Sequence, residues 1–248
     1  MQPVIAVPES LTDAERERYQ RTMAIDGFGE EAQGRLKAAT VCCIGAGGLG
    51  GPVLQYLVAS GVGRVIVVDD DVVEEQNLQR QTLYGTTTLG APKADAAAAR
   101  LADLNPMVEV IPTSLRVTQE TAEEILGDCD VVVDAVDNLP TRLAVARACQ
   151  RLDLPLVFGA VQAANGQVTV LWERHGLALS DLFPDPPRSC PTALEVGVLG
   201  PMTGWVGSVM ATEVVKLLTG VGEPLLGRVM YIDTLRARVV ELPFAGRS

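Results

Sequence analysis

Short runs of aliphatic and β-branched residues alternate with amphipathic segments over the first two thirds of the chain. The apolar runs predict strands at 40–45, 64–71, 107–112, 130–137 and 155–160. The segments between them predict helices at 50–61, 92–104, 118–127 and 139–152. Strands that alternate with helices of about 10–14 residues are typical of a parallel sheet covered on both faces. The pattern therefore predicts a doubly wound α/β fold.

The two ends of the chain depart from this alternation. Residues 1–36 predict a polar helical arm, with a helix from Leu11 to about Arg21. Beyond about Gly166 the sequence predicts a strand at 166–173, a long apolar helix at 203–219 and final strands at 227–233 and 237–243. The segment 177–201 is rich in proline and lacks periodicity, so a long loop is expected there. We expect a single domain over 1–248 whose mainly parallel sheet has an antiparallel C-terminal extension.

The charge balance and cysteine content narrow the class of protein. The 248 residues carry 20 Lys and Arg against 31 Asp and Glu, a net charge of −11, which argues against a general nucleic-acid binder. No apolar run is long enough for a membrane span, and the N-terminus does not resemble a secretory signal. Five cysteines without a regular spacing are typical of a reducing compartment. We therefore expect a cytoplasmic protein without a membrane or nucleic-acid partner.

A glycine-rich turn follows the first predicted strand. Gly45, Gly47 and Gly50 satisfy the spacing G-x-G-x-x-G between a strand and a helix, and Asp69 ends the next strand. Glycines allow the backbone to approach a phosphate at a helix N-terminus, while the carboxylate can accept hydrogen bonds from a ribose. A Rossmann-like nucleotide site is therefore predicted, but the motif alone does not identify the nucleotide.

Two cations and an amide come after the second strand. Asn77, Arg80 and Lys93 lie in or beside the segments NLQRQ and APK. They exceed what the two phosphates of a dinucleotide require and suit a triphosphate, whose leaving pyrophosphate must be neutralised. The alternative for each of them is a solvated loop with a lysine at the entry to a helix.

A carboxylate and an amide follow the fourth strand. Asp137 and Asn138 are predicted at the carboxyl end of the sheet, where such folds bind ligands. Magnesium bound with a nucleotide takes one or two carboxylates together with phosphate oxygens, so Asp137 is a candidate ligand. The alternative is that Asp137 caps the helix that begins near Leu139.

Several motifs together resemble the MoeB/ThiF (HesA) family of adenylyltransferases, the bacterial branch of the ubiquitin-activating-enzyme-like fold. They are RYQR, GAGGLG, VDDD, NLQRQ, GAPK, LNP, DNLPTR and EVGVLGP, and the resemblance runs from about Arg18 to Leu242. It implies adenylation, with ATP and Mg²⁺, of the C-terminal Gly-Gly carboxylate of a small β-grasp sulfur-carrier protein. Pyrophosphate is released, and the pathway would be molybdopterin, thiamine or thiolated-tRNA biosynthesis.

The resemblance also implies roles for individual residues. Asp69 would hold the ribose, Asp137 the magnesium ion, and Arg21 would reach across a homodimer into the partner's ATP site. The implied nucleotide-binding set is Gly45, Gly47, Gly48, Gly50, Asp69, Asp71, Asn77, Arg80, Lys93, Asp137 and Asn138. The implied catalytic set is Arg21, Arg80, Lys93, Asp137 and, since some relatives form a thioester or acyl-disulfide at the matching position, Cys190. An incidental loop cysteine and an arginine that only decorates an exposed helix remain the alternatives for Cys190 and Arg21.

The sequence departs from the family at the zinc site. Most members hold a structural zinc ion with two CxxC pairs; here Ala178 and Asp181 occupy the first pair's positions and the second pair is missing. We therefore expect no zinc, because a structural site needs four such ligands. The remaining cysteines, Cys42, Cys43, Cys129 and Cys149, are expected in the core. A sulfurtransferase would be a separate protein.

Three other functions compete with this interpretation. The glycine motif and Asp69 would equally suit an NAD-dependent oxidoreductase, although that reading leaves Arg80 and Lys93 without a role. The second alternative is a family member that has lost catalytic activity and only binds the carrier protein. A dehydratase that activates the carboxylate of a tRNA-attached amino acid is the third, which the acidic charge disfavours.

Overall fold

Eight strands form one mixed sheet with helices on both faces. The computed structural model describes residues 1–183 and 193–246. The strands are β1 (Thr40–Ile44), β2 (Arg64–Val68), β3 (Glu109–Thr113), β4 (Val131–Asp134), β5 (Leu156–Gln162), β6 (Asn165–Leu171), β7 (Arg228–Asp233) and β8 (Arg238–Pro243). The helices are α1 (Asp13–Met23), α2 (Gly29–Ala38), α3 (Gly50–Ala59), α4 (Lys93–Leu104), α5 (Ala122–Leu126), α6 (Leu139–Leu152), α7 (Leu179–Leu182), α8 (Ala193–Val196) and α9 (Gly200–Thr219).

The strand order creates a cleft at the carboxyl end of the sheet. The order is β3-β2-β1-β4-β5-β6-β7-β8, in which the first five strands are parallel and the last three antiparallel. The connections leave in opposite directions from β1 and β4, and ligands bind at such a switch point in open α/β sheets. The predicted fold class, including the antiparallel C-terminal extension, is confirmed.

Two cores cover the sheet, one on each face. Because successive side chains of a strand point to opposite faces, Val41 and Cys43 of β1 join one core while Cys42 and Ile44 join the other. The first core is closed by α3, α4 and α9, and the second by α5 and α6. All four of these β1 side chains are buried, as expected for a strand that is covered on both faces.

The N-terminal arm packs at the amino end of the sheet, far from the cleft. Its helix α1 begins with a capping box, in which Thr12 and Glu15 satisfy each other's backbone N–H groups. Tyr19 on the same helix is buried, and its hydroxyl accepts a hydrogen bond of 2.8 Å from the side chain of Asn105. The ring fills the space beside Gly61, just before β2.

Within the segment 177–201, where a long loop is expected, the structure describes the short helices α7 and α8 and the start of α9. The short helix α7 begins where the carboxylate of Asp181 accepts the N–H of Ala178 at 2.9 Å. The expectation that the protein holds no zinc ion stays a prediction. Helix α9 starts at Gly200, before the predicted 203, because Pro201 is well suited to a first turn, where no N–H donor is needed. In the described ranges no helix is long and apolar enough to cross a membrane.

Candidate functional site

A cavity of about 550 Å³ opens at the carboxyl end of the sheet, where the predicted side chains meet. Its lining includes Gly45, Gly47, Gly48, Asp69, Asp71, Arg80, Lys93, Asp137 and Asn138. Gly50, Asn77 and Arg21 are absent from this lining. Cys190 lies outside the described residues. The structure therefore brings most of the predicted nucleotide-binding set together, although their individual roles stay predictions.

The glycine turn is shaped by close backbone packing. Gly45 has φ +93°, and a Cβ atom there would lie 2.7 Å from the carbonyl oxygen of Ala135. A Cβ atom at Gly50 would lie 1.8 Å from the carbonyl oxygen of Gly45. Gly50 thus serves the contact between strand and helix rather than the cavity wall. The N–H groups of Gly47 and Gly48 donate to no acceptor among the described residues, so they can meet an anion.

Asp69 holds the glycine turn from the end of β2. One carboxylate oxygen accepts the N–H of Ala46 at 2.8 Å, and the other accepts the N–H of Asp71 at 2.9 Å. Burial raises the pKa of Asp69 above its ordinary value, although the Ala46 hydrogen bond and the charge of Lys93 oppose this. Each carboxylate oxygen can accept a second hydrogen bond. The same side chain can therefore brace the turn and receive a ribose hydroxyl.

Lys93 presents a buried cation at the start of α4. Its ammonium nitrogen lies 2.9 Å from a carboxylate oxygen of Asp71, and its backbone N–H donates to the carbonyl oxygen of Asp71 at the same distance. An ammonium group has three donors, so the ion pair leaves donors available for a phosphate. Lys93 also occupies the first turn of a helix, where the helix dipole favours an anion.

Arg80 stands on a loop that Asn77 supports. The Asn77 side chain is buried, and its oxygen accepts the N–H of Glu74 at 3.2 Å. The backbone carbonyl oxygen of Asn77 accepts the N–H groups of Arg80 and Gln81. No carboxylate in the described part of the chain pairs with the Arg80 guanidinium, which donates only to the carbonyl oxygen of Gln76. Asn77 therefore shapes the loop in this structure, while its predicted contact with a phosphate stays a prediction.

Asp137 and Asn138 differ in what they contribute to the fold. Asn138 is the N-cap of α6, and its side-chain oxygen accepts the N–H of Thr141 at 3.0 Å. Asp137 is exposed and forms no hydrogen bond or ion pair with another described residue. The cap alternative for Asp137 is therefore wrong, and its carboxylate lines the cavity without a structural task.

A buried ion pair at the wall of the cavity, to which Arg142 contributes, was not predicted from the sequence. The Nε atom of Arg142 lies 3.0 Å from a carboxylate oxygen of the fully buried Asp134. The Arg142 guanidinium also donates to the carbonyl oxygens of Val136 (2.7 Å) and Gly159 (3.1 Å) and covers the ring of Phe158 at 4.5 Å. It thereby holds the turn that precedes Asp137. The motif DNLPTR contained Arg142, but its partner on β4 could not be read from spacing.

Gln81 is a second residue that the sequence analysis did not single out. It lines the cavity with 4% of its surface exposed, and its carbonyl oxygen Oε1 has no hydrogen-bond partner among the described residues. A Cβ atom at Gly47 would lie 3.4 Å from its amide nitrogen. A buried amide without a partner is costly, so a donor from a bound ligand would stabilise it.

The far wall of the cavity is formed by the β5–β6 hairpin and β7. Gln162, Asn165 and Gln167 offer amide groups there, and Tyr231 offers an aromatic ring. Val196 and Val198 line it from the segment before α9, whose Leu199 donates its N–H to the carbonyl oxygen of Ala163 at 2.9 Å. The cavity thus extends beyond the glycine turn toward a wall with many hydrogen-bonding groups.

Arg21 cannot reach the cavity of its own chain. It is exposed on α1, which is anchored through Tyr19 at the amino end of the sheet. The cavity lies at the opposite edge, and a strand of five residues such as β1 separates the edges by about 17 Å. The structure therefore leaves Arg21 with no role at the site of its own protomer.

The cysteines that the structure describes are buried and reduced. Cys42, Cys43, Cys129 and Cys149 all lie in the two cores, as predicted. Burial raises the pKa of Cys43 and of Cys149 well above the ordinary value of a thiol, so neither is poised to react. Among the described residues, no group of three or more His, Cys, Asp and Glu side chains is arranged to hold a metal ion.

Comparison with known proteins relates nearly the whole chain to one family. The model of the ThiF family matches residues 19–247. The chain is 49% identical to "Sulfur carrier protein adenylyltransferase" of Thermus thermophilus, over 91% of its own length and 86% of that protein. It is 44% identical to "SAMP-activating enzyme E1" of Haloferax volcanii, over 95% and 87%. It is 40% identical to "Adenylyltransferase and sulfurtransferase MOCS3" of Arabidopsis thaliana, over 93% of this chain but 50% of the longer plant protein.

Solved structures share the fold at lower identity. The crystal structure of Escherichia coli MccB with ATP superposes with a TM-score of 0.78 at 21% identity, covering 96% of this chain and 73% of that one. A crystal structure of PaaA gives a TM-score of 0.77 at 22% identity, covering 99% and 78%. These likenesses support the architecture of the sheet and its helices.

Proposed function

Because the chain belongs to the ThiF family, we propose that it uses ATP to adenylate the C-terminal carboxylate of a small sulfur-carrier protein and releases pyrophosphate. The observation that carries the proposal is the meeting of three anion-binding elements in one cavity. They are the glycine turn, Arg80 and Lys93. The names of the Thermus and Haloferax relatives, which match along nearly their full length, support the same activity.

The reaction needs placement and charge neutralisation more than proton transfer. A carboxylate oxygen of the carrier attacks the α-phosphorus of ATP, and the bond from that phosphorus to the bridging oxygen of the β-phosphate breaks. The carrier leaves as an acyl-adenylate and the electron pair departs with pyrophosphate. A carboxylate is already ionised at neutral pH, so no general base is required. Lys93, Arg80 and the N–H groups of Gly47 and Gly48 would offset the charge on the phosphates.

Asp137 would hold a magnesium ion that accompanies ATP. Its carboxylate lines the cavity and is not used by the fold, and magnesium commonly takes one or two carboxylates together with phosphate oxygens and water. The ion, when bound, would neutralise phosphate charge. Asp137 thus fits the predicted role of metal ligand, while Asn138, which was predicted to contact the nucleotide, caps α6 and lines the same cavity.

A homodimer would complete the site with Arg21 from the partner subunit. Arg21 lies at the edge of the sheet opposite its own cavity, and it is exposed. A guanidinium supplied by a second copy would add positive charge where the pentavalent phosphorus forms. The position of Arg21 supports action in trans.

The far wall of the cavity suits an extended peptide tail. The amide side chains of Gln162, Asn165 and Gln167 can each donate and accept hydrogen bonds with a peptide backbone. A tail that ends in Gly-Gly has no side chains to obstruct its entry. The partner would be a small β-grasp carrier for molybdopterin, thiamine or thiolated-tRNA synthesis, acting in the cytoplasm with a separate sulfurtransferase.

Carrier-dependent exchange of labelled pyrophosphate into ATP tests this function. The purified chain is assayed with each of a set of small β-grasp proteins that end in Gly-Gly, and each carrier is also prepared without its last glycine. Exchange with one intact carrier and none with its truncated form is expected. No exchange with any carrier, despite binding of ATP, would favour a relative that only binds the carrier.

Two further measurements test the NAD-dependent alternative and the role of Cys190. Titration with ATP and with NADH distinguishes adenylation from hydride transfer, and we expect binding of ATP alone. A role for Cys190, which lies outside the described residues, is tested with Cys190→Ser in a sulfur-transfer assay. If Cys190 carries a covalent intermediate, the variant keeps pyrophosphate exchange and loses the later transfer.

A further inference from the structure

Tyr84 contacts the glycine turn, the start of α4 and the loop that carries Arg80. It is buried, with 8% of its surface exposed, and its hydroxyl lies 2.8 Å from the carbonyl oxygen of Ala46 in the glycine turn. The same hydroxyl lies 3.3 Å from the carbonyl oxygen of Lys93, the first residue of α4. Its backbone N–H donates to the carbonyl oxygen of Gln81, next to Arg80.

Both backbone polar groups of Ala46 form hydrogen bonds with side chains. Asp69 accepts its N–H at 2.8 Å and Tyr84 donates to its carbonyl oxygen. A hydroxyl has one proton, so it donates mainly to the nearer oxygen of Ala46 and only partly to that of Lys93. The Ala46 carbonyl group shares one rigid peptide plane with the N–H of Gly47, so the hydrogen bond from Tyr84 also sets the direction of that N–H group.

We infer that Tyr84 is a positioning residue for adenylation, whose hydroxyl holds the glycine turn and Lys93 at the spacing that the triphosphate requires. The inference rests on the proposed function. It concerns a residue outside the cavity lining. Burial, together with the charge of Asp69, raises the pKa of Tyr84 above the ordinary value of a phenol, so the donor stays protonated over the working pH range.

The expected consequence falls on the chemical step. Displacement of a phosphate-binding group by about 1 Å can reduce a rate about a hundredfold, whereas ground-state binding of ATP spreads over many contacts. Tyr84→Phe, which keeps the ring and removes the hydroxyl, should therefore lower kcat of pyrophosphate exchange by about ten- to a hundredfold. KM for ATP should stay close to that of the wild type.

Thr169 provides a matched control. Its hydroxyl is also fully buried and lies close to two carbonyl oxygens, those of Leu225 (3.1 Å) and Arg228 (2.8 Å), but it is not part of the cavity lining. Thr169→Val removes that hydroxyl with little change of shape. Both variants should lower the melting temperature by about 2–4 °C, and only Tyr84→Phe should lower kcat.

Hydrogen–deuterium exchange of the protein without substrates gives a readout that does not depend on any carrier. In Tyr84→Phe, peptides that cover the glycine turn and the start of α4 should exchange faster than in the wild type, and in Thr169→Val they should not. The inference would be overturned if Tyr84→Phe had the same kcat as the wild type. It would also be overturned if those peptides showed equal hydrogen–deuterium exchange in the two variants. If the wild type itself showed no pyrophosphate exchange, the proposed function would be refuted. The comparison of hydrogen–deuterium exchange would still decide whether Tyr84 orders the glycine turn and the start of α4.

Discussion

The ammonium nitrogen of Lys93 lies 2.9 Å from a carboxylate oxygen of Asp71, and the two side chains differ sharply in exposure, 6% for the lysine against 70% for the aspartate. The aspartate extends toward solvent while the lysine stem is packed into the protein. The pair therefore holds a cation at the cavity wall before any ligand binds. Because the Lys93 side chain is already ordered, binding of a phosphate costs little further side-chain entropy.

Replacement of either cation should severely reduce adenylation. Loss of one preorganised donor at a site of developing charge costs about 3–4 kcal/mol. Lys93→Ala and Arg80→Ala should therefore each reduce kcat/KM for pyrophosphate exchange by about 10²–10³-fold. Arg151→Ala, which removes an arginine from an exposed ion pair with Glu123, is the control and should leave exchange unchanged. Near-wild-type exchange in Lys93→Ala or Arg80→Ala would contradict the assignment of the phosphate site.

The neighbours Asp137 and Asn138 should separate function from stability. Asp137→Asn should leave the free energy of unfolding unchanged, because the carboxylate takes no part in the fold, and should raise the magnesium concentration needed for half-maximal exchange. Asn138→Ala removes the N-cap of α6 and should lower the free energy of unfolding by about 1 kcal/mol. Urea denaturation and magnesium titration of both variants make the test. The Mg²⁺ assignment fails if Asp137→Asn keeps the wild-type magnesium requirement.

Mixed dimers should reveal whether Arg21 acts on the partner's site. Arg21→Ala and Arg80→Ala should each be nearly inactive alone, because each lacks one cation at every site. When equal amounts are mixed and allowed to exchange subunits, half of the dimers should carry one complete site, so about a quarter of the wild-type activity should return. Measurement of exchange activity against mixing ratio provides the answer. No recovery in a mixture that is shown to contain mixed dimers would exclude action in trans.

The raised pKa of Asp69 gives stability a defined dependence on pH. Burial is the main cause, and it outweighs the Ala46 N–H and Lys93, which lower the pKa. The folded protein therefore keeps a proton on Asp69 over an interval above about pH 4, the pKa of an unfolded aspartate, where the unfolded chain has lost it. Stability falls with rising pH wherever the native state binds more protons. This contribution is complete below about pH 4 and is lost as the pH rises through the raised pKa of the folded state.

Asp69→Asn isolates that contribution. The free energy of unfolding of the wild type, relative to that of Asp69→Asn, should fall over this interval and then stay constant at higher pH. Urea denaturation at a series of pH values between about 4 and 7 measures the difference. A difference that rises over the same interval would show that Ala46 and Lys93 dominate over burial.

The sequence was sufficient for the cavity to be located because its elements are local. Gly45 directly follows one strand and Asp69 directly follows the next, which places both residues at one edge of a parallel sheet. The same reasoning located Asp137 after β4. It could not decide between metal ligand and helix cap, because the two readings differ only in the direction of a side chain. The structure excludes the cap alternative, because Asn138 is the cap, and the role of Asp137 as a metal ligand stays a prediction.

The contacts that order the site depend on distant partners. Tyr84 and Ala46 are 38 residues apart, and the Thr203 hydroxyl lies 3.3 Å from the carbonyl oxygen of Arg80, 123 residues away. No periodicity or spacing reports such pairs. The sequence likewise did not show that Asn77 supports a loop rather than lining the cavity.

The sequence by itself determined the order of strands and helices, the position of the glycine turn and the presence of two cations, Arg80 and Lys93, after the second strand. These features depend on side-chain periodicity and turn chemistry, which act over a few residues. The tertiary structure decided that Arg142 pairs with Asp134, that Tyr84 links the glycine turn to Lys93, and that Arg21 lies at the wrong edge for its own site. Such relationships arise when the whole sheet is assembled and each buried polar group must find a partner, which a linear pattern does not encode.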